Sequence, residues 1–280
     1  MDLDFIEIGT SDFDTMIQNS DNSIRGISIE PIKYYLDRLP NRDLCYKINC
    51  AVSNYEGTID VHYVSDDDIK KYDLPWYVRG CNSVNKHHPS IVKLLLSRGL
   101  VPDDILTIST VPVRTIKSII EEYDIISVKT LKIDTEGHDC VILNSYLDYC
   151  IDYCDTNNNL LPLNILFESN ILSNREDISD IIERCKNLGY HLIFNEEDTL
   201  LSKAPFTNCI DRVYLSGYLD GFNPNLLPYE NTLEGAKKWC IENKGGGVTF
   251  QYGRYEVRDG KELVIDILHP KIKSWLYLGR

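Results

Sequence analysis

Short runs rich in isoleucine and valine alternate with stretches of helical period from Asp4 to about Gly217. This alternation leaves few architectures open. It is the pattern of a mostly parallel sheet whose strands are buried between helices on both faces. Asp4–Gly9, Arg25–Pro31 and Leu44–Ser53 read as strands, and Gly57–Val64 alternates like a half-exposed one. Pro31 suits the first turn of a helix through Tyr34, Tyr35 and Leu39. Ile116, Ile119, Ile120 and Tyr123 fall on one helical face, ahead of a buried strand that ends at Asp134. A helix is expected from about His138 to Tyr149, then the strand "LPLNILFESN". The next helix shows a capping-box pattern at Ser173 and Glu176 and stops at Gly189. "YHLIFN", "TLLSK" and "DRVYLSG" complete the strands, and the missing helix between two of them predicts an antiparallel member near the edge.

Two regions depart from this pattern. Residues 65–105 are irregular, with one helix over Pro89–Arg98, and read as an insertion above the sheet edge. From Tyr218 the chain becomes turn-rich, with a helix capped by Thr232 and strands broken at Gly253 and Asp259-Gly260. The expected organisation is therefore a main domain over 1–217 and a small α+β appendix over 218–280. The appendix carries Trp239, Tyr252, Arg254, Tyr255 and Arg258. Core packing explains these residues, and glycan binding or homodimer formation is the alternative.

Net charge is -14 and no Lys/Arg run occurs, which argues against nucleic acid as a partner. The 9 cysteines are scattered without a CxxC, as reduced thiols in a cytoplasmic protein are. No basic leader precedes the first strand, and no apolar run reaches the roughly 18 residues of a membrane span, so neither a signal peptide nor a span is expected.

Open α/β sheets bind ligands beyond the carboxyl ends of their strands. Here that edge carries Glu7, Gly9, Thr10, Ser11 and Asp12, then Glu30, and then "LKIDTEGHD" at Leu131–Asp139. Gly9 permits a tight turn, and Glu30 stands about 20 residues further on, where an acid accepts ribose hydroxyls. A dinucleotide calls for G-x-G-x-x-G, but the chain offers "GTSDFD", whose acids repel a diphosphate and favour a cation. S-adenosyl-L-methionine brings a sulfonium, an ammonium and no phosphate. On these residues alone, a plain strand-turn with a solvated glutamate is the competing reading.

"FIEIGTSDFDT", "GISIEP", "NCAVSNYEGTIDV", "VPVRTIKSIIEEY" and "LKIDTEGHD", in this order and spacing, resemble the FkbM family of S-adenosylmethionine-dependent methyltransferases over about Phe5–Gly217. The resemblance implies a Rossmann-like class I methyltransferase sheet. It also implies O-methylation of hydroxyls on sugars or natural products, and a cofactor site formed by Glu7, Gly9, Glu30 and Asp134 with Ala51 and Val52 near the adenine. Thr10, Ser11, Asp12 and Pro31 complete the expected cofactor-facing set. The family's first strand usually follows a segment that helps close the pocket, whereas here it starts near residue 4. The appendix lies outside the shared core.

Methyl transfer to an alcohol needs alignment and a base. The candidates are Asp134, Glu136, His138 and His88, with His87 beside it. Helix capping is the competing role for these acids, and the better one for Asp139. D-x-E-x-H is not a standard ligand spacing, so no metal is expected. In the insertion, Trp76, Arg79, Asn82, Ser83, His87 and His88 have the mix that sugar sites use, and they are expected to bind the acceptor. The acceptor is expected to be a sugar hydroxyl on a glycan or nucleotide-sugar. The alternatives are a non-sugar metabolite or lipid, or a degenerate fold acting as a binding module. A dehydrogenase is disfavoured by the missing glycines.

Overall fold

Burial on both faces marks the central strands: all four residues of β2 (Gly26–Ile29) are buried, as are five of the seven in β1 (Asp2–Ile8). The computed structural model describes every residue except 85–86, 154–159, 204–205, 208, 221, 224, 267–268, 270 and 278–280. Cys154 therefore lies outside the described residues. The chain divides into two compact units, Met1–Leu201 and Ser202–Arg280.

In the first unit the elements follow in order as β1, α1 (Met16–Asn19), β2, α2 (Lys33–Arg38), β3 (Cys45–Ile48), β4 (Ala51–Val52), β5 (Gly57–Val64), α3 (Asp66–Lys71), β6 (Ser83–Val84), α4 (Pro89–Ser97), β7 (Leu106–Arg114), α5 (Ile116–Glu122), β8 (Ser127–Ile133), α6 (Asp139–Tyr153), β9 (Asn164–Glu168), α7 (Arg175–Asn187), β10 (His191–Asn195) and β11 (Asp198–Ser202). Seven strands form the central sheet in the order β10-β11-β9-β8-β1-β2-β3. The pairs β1·β2, β1·β8, β2·β3 and β8·β9 are parallel. Only Glu196 and Glu197 join the neighbours β10 and β11, a connection too short for parallel pairing, so the expected antiparallel member is this hairpin.

Successive strand residues face opposite sides of a sheet. Phe5 packs with Ile17 of α1 and Leu36 of α2, while Ile6 and Ile8 pack with Ile119 of α5 and Ile142 of α6. Helices therefore cover both faces.

Three local readings change. The run Leu44–Ser53 is two strands, because the chain leaves the central sheet after Ile48 and joins a second sheet at Ala51, of order β4-β7-β5-β6. Residues 65–105 are more ordered than their composition indicates: α3, α4 and two 3-10 turns wrap a core of Val64, Ile69, Leu74, Val78, Ile91, Leu95 and Ile105. The cap of α7 is Asn174, whose side chain accepts from the Glu176 N–H, while Ser173 is buried one residue too early to serve. Among the described residues no helix is long and apolar enough to cross a membrane.

The second unit contains β12 (Ile210–Asp211), β13 (Val213–Leu215), α8 (Leu233–Glu242), β14 (Gly247–Gln251), β15 (Arg254–Arg258), β16 (Leu263–Ile265) and β17 (Lys273–Leu276). Thr232 caps α8, and Tyr252-Gly253, both at positive φ, turn the β14–β15 hairpin. The segment "DRVYLSG", assigned from sequence to the first sheet, pairs here instead: β13 runs antiparallel to β16. The division into compact units accordingly falls at 201/202 rather than 217/218. A three-residue apolar strand carries too little pattern to reveal its partner.

Candidate active site

At the carboxyl ends of β1, β2 and β8 a cavity of ≈ 300 Å³ opens, within the range of small-molecule sites. Here the strand order reverses direction from β1, toward β2 on one side and β8 on the other. Gly9 holds the two strand ends together. Its φ is +79°, and a Cβ added there would lie 1.8 Å from the Asp134 carbonyl oxygen. Ser11, Asp14 and Glu136 adopt left-handed backbone, at φ 48°, 53° and 54°. Such conformations are costly in non-glycine residues and concentrate where function demands them.

Of the residues the sequence singled out, Gly9, Thr10, Ser11, Glu30, Pro31, Ala51, Val52, Asn82, Ser83, Asp134, Glu136 and His138 line this cavity. Glu30 is 2 % exposed; one carboxylate oxygen accepts from the Ser11 N–H at 2.7 Å and the other from the Ile32 N–H at 2.9 Å. Burial nevertheless pushes its pKa up to about 7, with Asp12 and Asp134 adding to the rise. Asp134 is likewise raised to about 7, chiefly by desolvation at the cleft floor, with Lys132 opposing and Asp139 and Glu136 assisting. Its side chain is still 44 % accessible, so the carboxylate meets the open cavity. His138 Nε2 lies 2.9 Å from Ser53 Oγ, and burial lowers its pKa, leaving a neutral imidazole.

Six predicted residues do not line the cavity. Glu7, fully buried, accepts from the Met16 N–H at 2.8 Å and pairs with Lys132 Nζ at 3.0 Å. Burial raises its pKa against the pull of Lys132. Lys132 Nζ also lies 3.8 Å from Asp134, and its own pKa is raised although burial opposes its charge; we read the group as an ammonium between two carboxylates. Asp12 is held by Arg38 and Arg79, each at 2.9 Å. Arg79 is thereby engaged, and Trp76 is 60 % exposed. His87 faces His62, Nδ1 to Nδ1 at 2.9 Å. His88 is buried and caps α4 through Nδ1, which accepts from the Ser90 N–H at 3.2 Å. Its proton therefore sits on Nε2 and is donated to Glu136 at 3.0 Å.

Two groupings were not visible in sequence. Asp134, Glu136 and Glu168 bring carboxylate oxygens within 4.8 Å of one another. Burial, then Glu136, Asp139 and Asp134, drive the Glu168 carboxyl far above the carboxylate range. Its Oε1 accepts from Asn170, while Oε2 is buried without a partner among the described residues. Three carboxylates this close can share one cation. Cys81, His88 and Glu136 form a second close set. That set suits a metal poorly, because His88 Nε2 carries a proton and burial beside Glu136 pushes the Cys81 thiol up to about 12. Asp139, expected as a cap, ties this edge together: it accepts from Thr135 Oγ1 at 2.9 Å and from the Glu168 N–H at 3.2 Å. Glu168 ends β9 as Asp134 follows β8, so a register of strand ends was the available signal.

Four carboxylates (Asp14, Glu30, Asp134 and Glu136) and one ammonium, that of Lys132, line a cleft whose remaining wall is largely apolar. This is an α/β domain with an acidic cleft at its sheet switch point, where dinucleotide enzymes place a glycine-rich phosphate cradle. The chain belongs to the methyltransferase FkbM domain family, whose model matches residues 7–192, and its first unit is thus a methyltransferase. Comparisons with curated proteins and with solved structures gave no match.

Proposed function

We propose that the protein is a cytoplasmic, S-adenosyl-L-methionine-dependent O-methyltransferase acting on a sugar hydroxyl. The observation that carries this reading is the acidic cleft at the β1/β8 switch point. Its residues fit the cofactor: Glu30 lines the cavity with each oxygen accepting one backbone N–H and a further lone pair left for a ribose hydroxyl, Ala51, Val52 and Pro31 give an apolar slot for an adenine, and the surrounding carboxylates suit a cation. The 3-2-1-4-5 order of β3, β2, β1, β8 and β9 supports a Rossmann-like, class I sheet. We assign this activity to the first domain and give the remainder of the chain no part in the chemistry. The scatter of the cysteines along the chain, without a CxxC, supports a reducing compartment.

When bound, the cofactor supplies an electrophilic methyl group. The chain's own task is then to orient the acceptor hydroxyl and to take its proton. Asp134, raised to about 7, is matched to proton transfer near neutrality, and the neutral His138 imidazole stands in the same cleft. Glu136 is held by His88 rather than free to swing. Incubation with a methyl-labelled donor and a panel of glycans, lipids and small non-sugar metabolites, followed by mass spectrometry, tests the reading. A labelled glycan is expected. Label found only on lipids or non-sugar metabolites would replace the sugar reading, and no label on any acceptor, with no donor bound, would replace the enzyme by a binding module.

A further inference from the structure

Strand register puts a cation beneath the reacting edge. Glu7 of β1 and Lys132 of β8 are direct neighbours in the parallel pair. Asp134 stands two residues beyond Lys132, where alternation returns a side chain to the same side of the sheet. The ammonium thus meets one carboxylate across the strands and one along them: Nζ lies 3.0 Å from Glu7 Oε1 and 3.8 Å from Asp134 Oδ2. The two distances differ in consequence. At 3.0 Å the ammonium donates a hydrogen bond to Glu7, which is fully buried and itself fixed by the Met16 N–H at 2.8 Å. At 3.8 Å it makes no hydrogen bond to Asp134. There it acts through charge and leaves the carboxylate lone pairs open to a hydroxyl proton.

Acids surround Asp134 on the other elements. Glu136 follows in the same loop, Asp139 opens α6, Glu168 ends β9, Asp198 opens β11 and Glu30 follows β2. The His138 imidazole in the same cleft is neutral. Each acid disfavours a further negative charge beside it, and burial does the same. Lys132 opposes them, and it is the one cation among the described residues that line the cleft. It cannot take a proton from the acceptor itself, because two carboxylates hold it as an ammonium. Its charge is already shared between Glu7 and Asp134, so it is poorly placed to hold an anion as well.

We propose that Lys132 is a positioning residue for methyl transfer: anchored by buried Glu7, its ammonium keeps Asp134 at the cleft floor as the carboxylate that receives the acceptor's proton. The proposal rests on the methyltransferase reading and deepens it. Glu7, expected from sequence to face the cofactor, becomes the support of Lys132 instead. In the step itself the acceptor oxygen bonds the methyl carbon, the carbon–sulfur electron pair stays on sulfur, and the hydroxyl proton passes to an Asp134 oxygen. Lys132 gains and loses no proton.

The test uses the full chain with its aspartate carboxyls labelled with carbon-13. Carbon NMR follows them from about pH 5 to 9, and the signal missing from Asp134→Asn identifies Asp134. Its wild-type midpoint is expected near 7. Lys132→Met should raise that midpoint by about one pH unit or more, and Lys132→Arg should restore it. Glu7→Gln should lower it, because a competing carboxylate is gone and the ammonium turns to Asp134. Calorimetric affinity for S-adenosylmethionine should change less than about threefold in Lys132→Met. With the acceptor that the panel labels, Lys132→Met should lose about fivefold or more in turnover at pH 7 and regain it as pH rises, with KM unchanged. The proposal is overturned if Lys132→Met leaves the midpoint in place, or if Glu7→Gln raises it. It is also overturned if Lys132→Met weakens donor binding as much as turnover, which would make Lys132 a donor ligand. Should Lys132→Met fail to fold, the sign of the Glu7→Gln shift decides. Absence of S-adenosylmethionine binding to the wild-type chain would instead sink the methyltransferase reading, so the two failures are distinct.

Discussion

Glu30 in the first unit and Glu256 in the second are equally buried, 2 % and 0 % exposed, yet their surroundings are opposite. Glu256 accepts from Arg254 at 2.6 Å, Arg258 at 2.7 Å, Gln251 at 2.7 Å and Tyr218 at 3.1 Å. Burial pushes its pKa up, but these partners outweigh it and the carboxyl lies below its ordinary value. Glu30 has two backbone N–H donors and no cation, and its pKa rises to about 7. A buried carboxylate with its own cations is a structural element. One without them, at the rim of a cavity, is balanced only when a positive or hydroxyl-bearing ligand arrives.

The contrast sharpens most through Asp134, which lines the same cavity as Glu30 and is likewise raised to about 7, although Lys132 stands 3.8 Å away. Asp134→Asn is expected to cut turnover by about 10²-fold or more, with little change in melting temperature, as labelled methyl transfer and calorimetry would read. Equal losses in both would make Asp134 structural and erase the distinction. Glu256→Gln is expected to do the reverse. Breaking a buried pair costs about 3 kcal/mol or more, so denaturant unfolding should show a weakened second unit while donor affinity holds. Glu30→Gln comes next. Losing a charge-assisted acceptor is worth about 1.5 kcal/mol, so donor affinity should drop roughly tenfold, and fold stability should fall by about 1–3 kcal/mol because one of the two buried backbone N–H groups loses its acceptor.

The smallest effect is a pair of opposite pH slopes. The Glu30 carboxyl holds its proton to about pH 7 when folded but releases it near 4.5 when unfolded. Its contribution is present below about 4.5 and is lost as pH rises through 7. Glu256, lowered in the folded state, contributes above 4.5 and loses that contribution as pH falls through its native value. Hydrogen exchange should show protection near Glu30 declining as pH rises from about 4.5 to 7, and protection near Glu256 flat over that range and falling only as pH drops below 4.5. Parallel slopes would break the comparison.

Strand ends were the legible part of this site. Gly9, Glu30 and Asp134 each close a strand that alternation alone locates, so chain pattern brings them to one edge. The neighbours that set their chemistry are remote in sequence. Lys132 reaches Glu7 only because β1 and β8 pair in parallel with these two residues in register. Asp12 meets Arg38 and Arg79, and His87 meets His62, through packing of the insertion that no local periodicity records. Aromatic and basic composition put Trp76, Arg79 and His87 at the acceptor, whereas Arg79 pairs with Asp12, His87 faces His62 and none of the three lines the cavity. The strand β13 was assigned to the wrong sheet for a related reason, since three residues carry an apolar pattern but no address.

The central claim is that the acidic cleft receives an adenosine-bearing cation. Titration calorimetry of S-adenosylmethionine into the full chain, with NAD as comparator, tests it most directly. The account predicts saturable binding of S-adenosylmethionine, weakened in Glu30→Gln, and no binding of NAD. Heat from NAD alone, or none from S-adenosylmethionine at millimolar concentration, would contradict it.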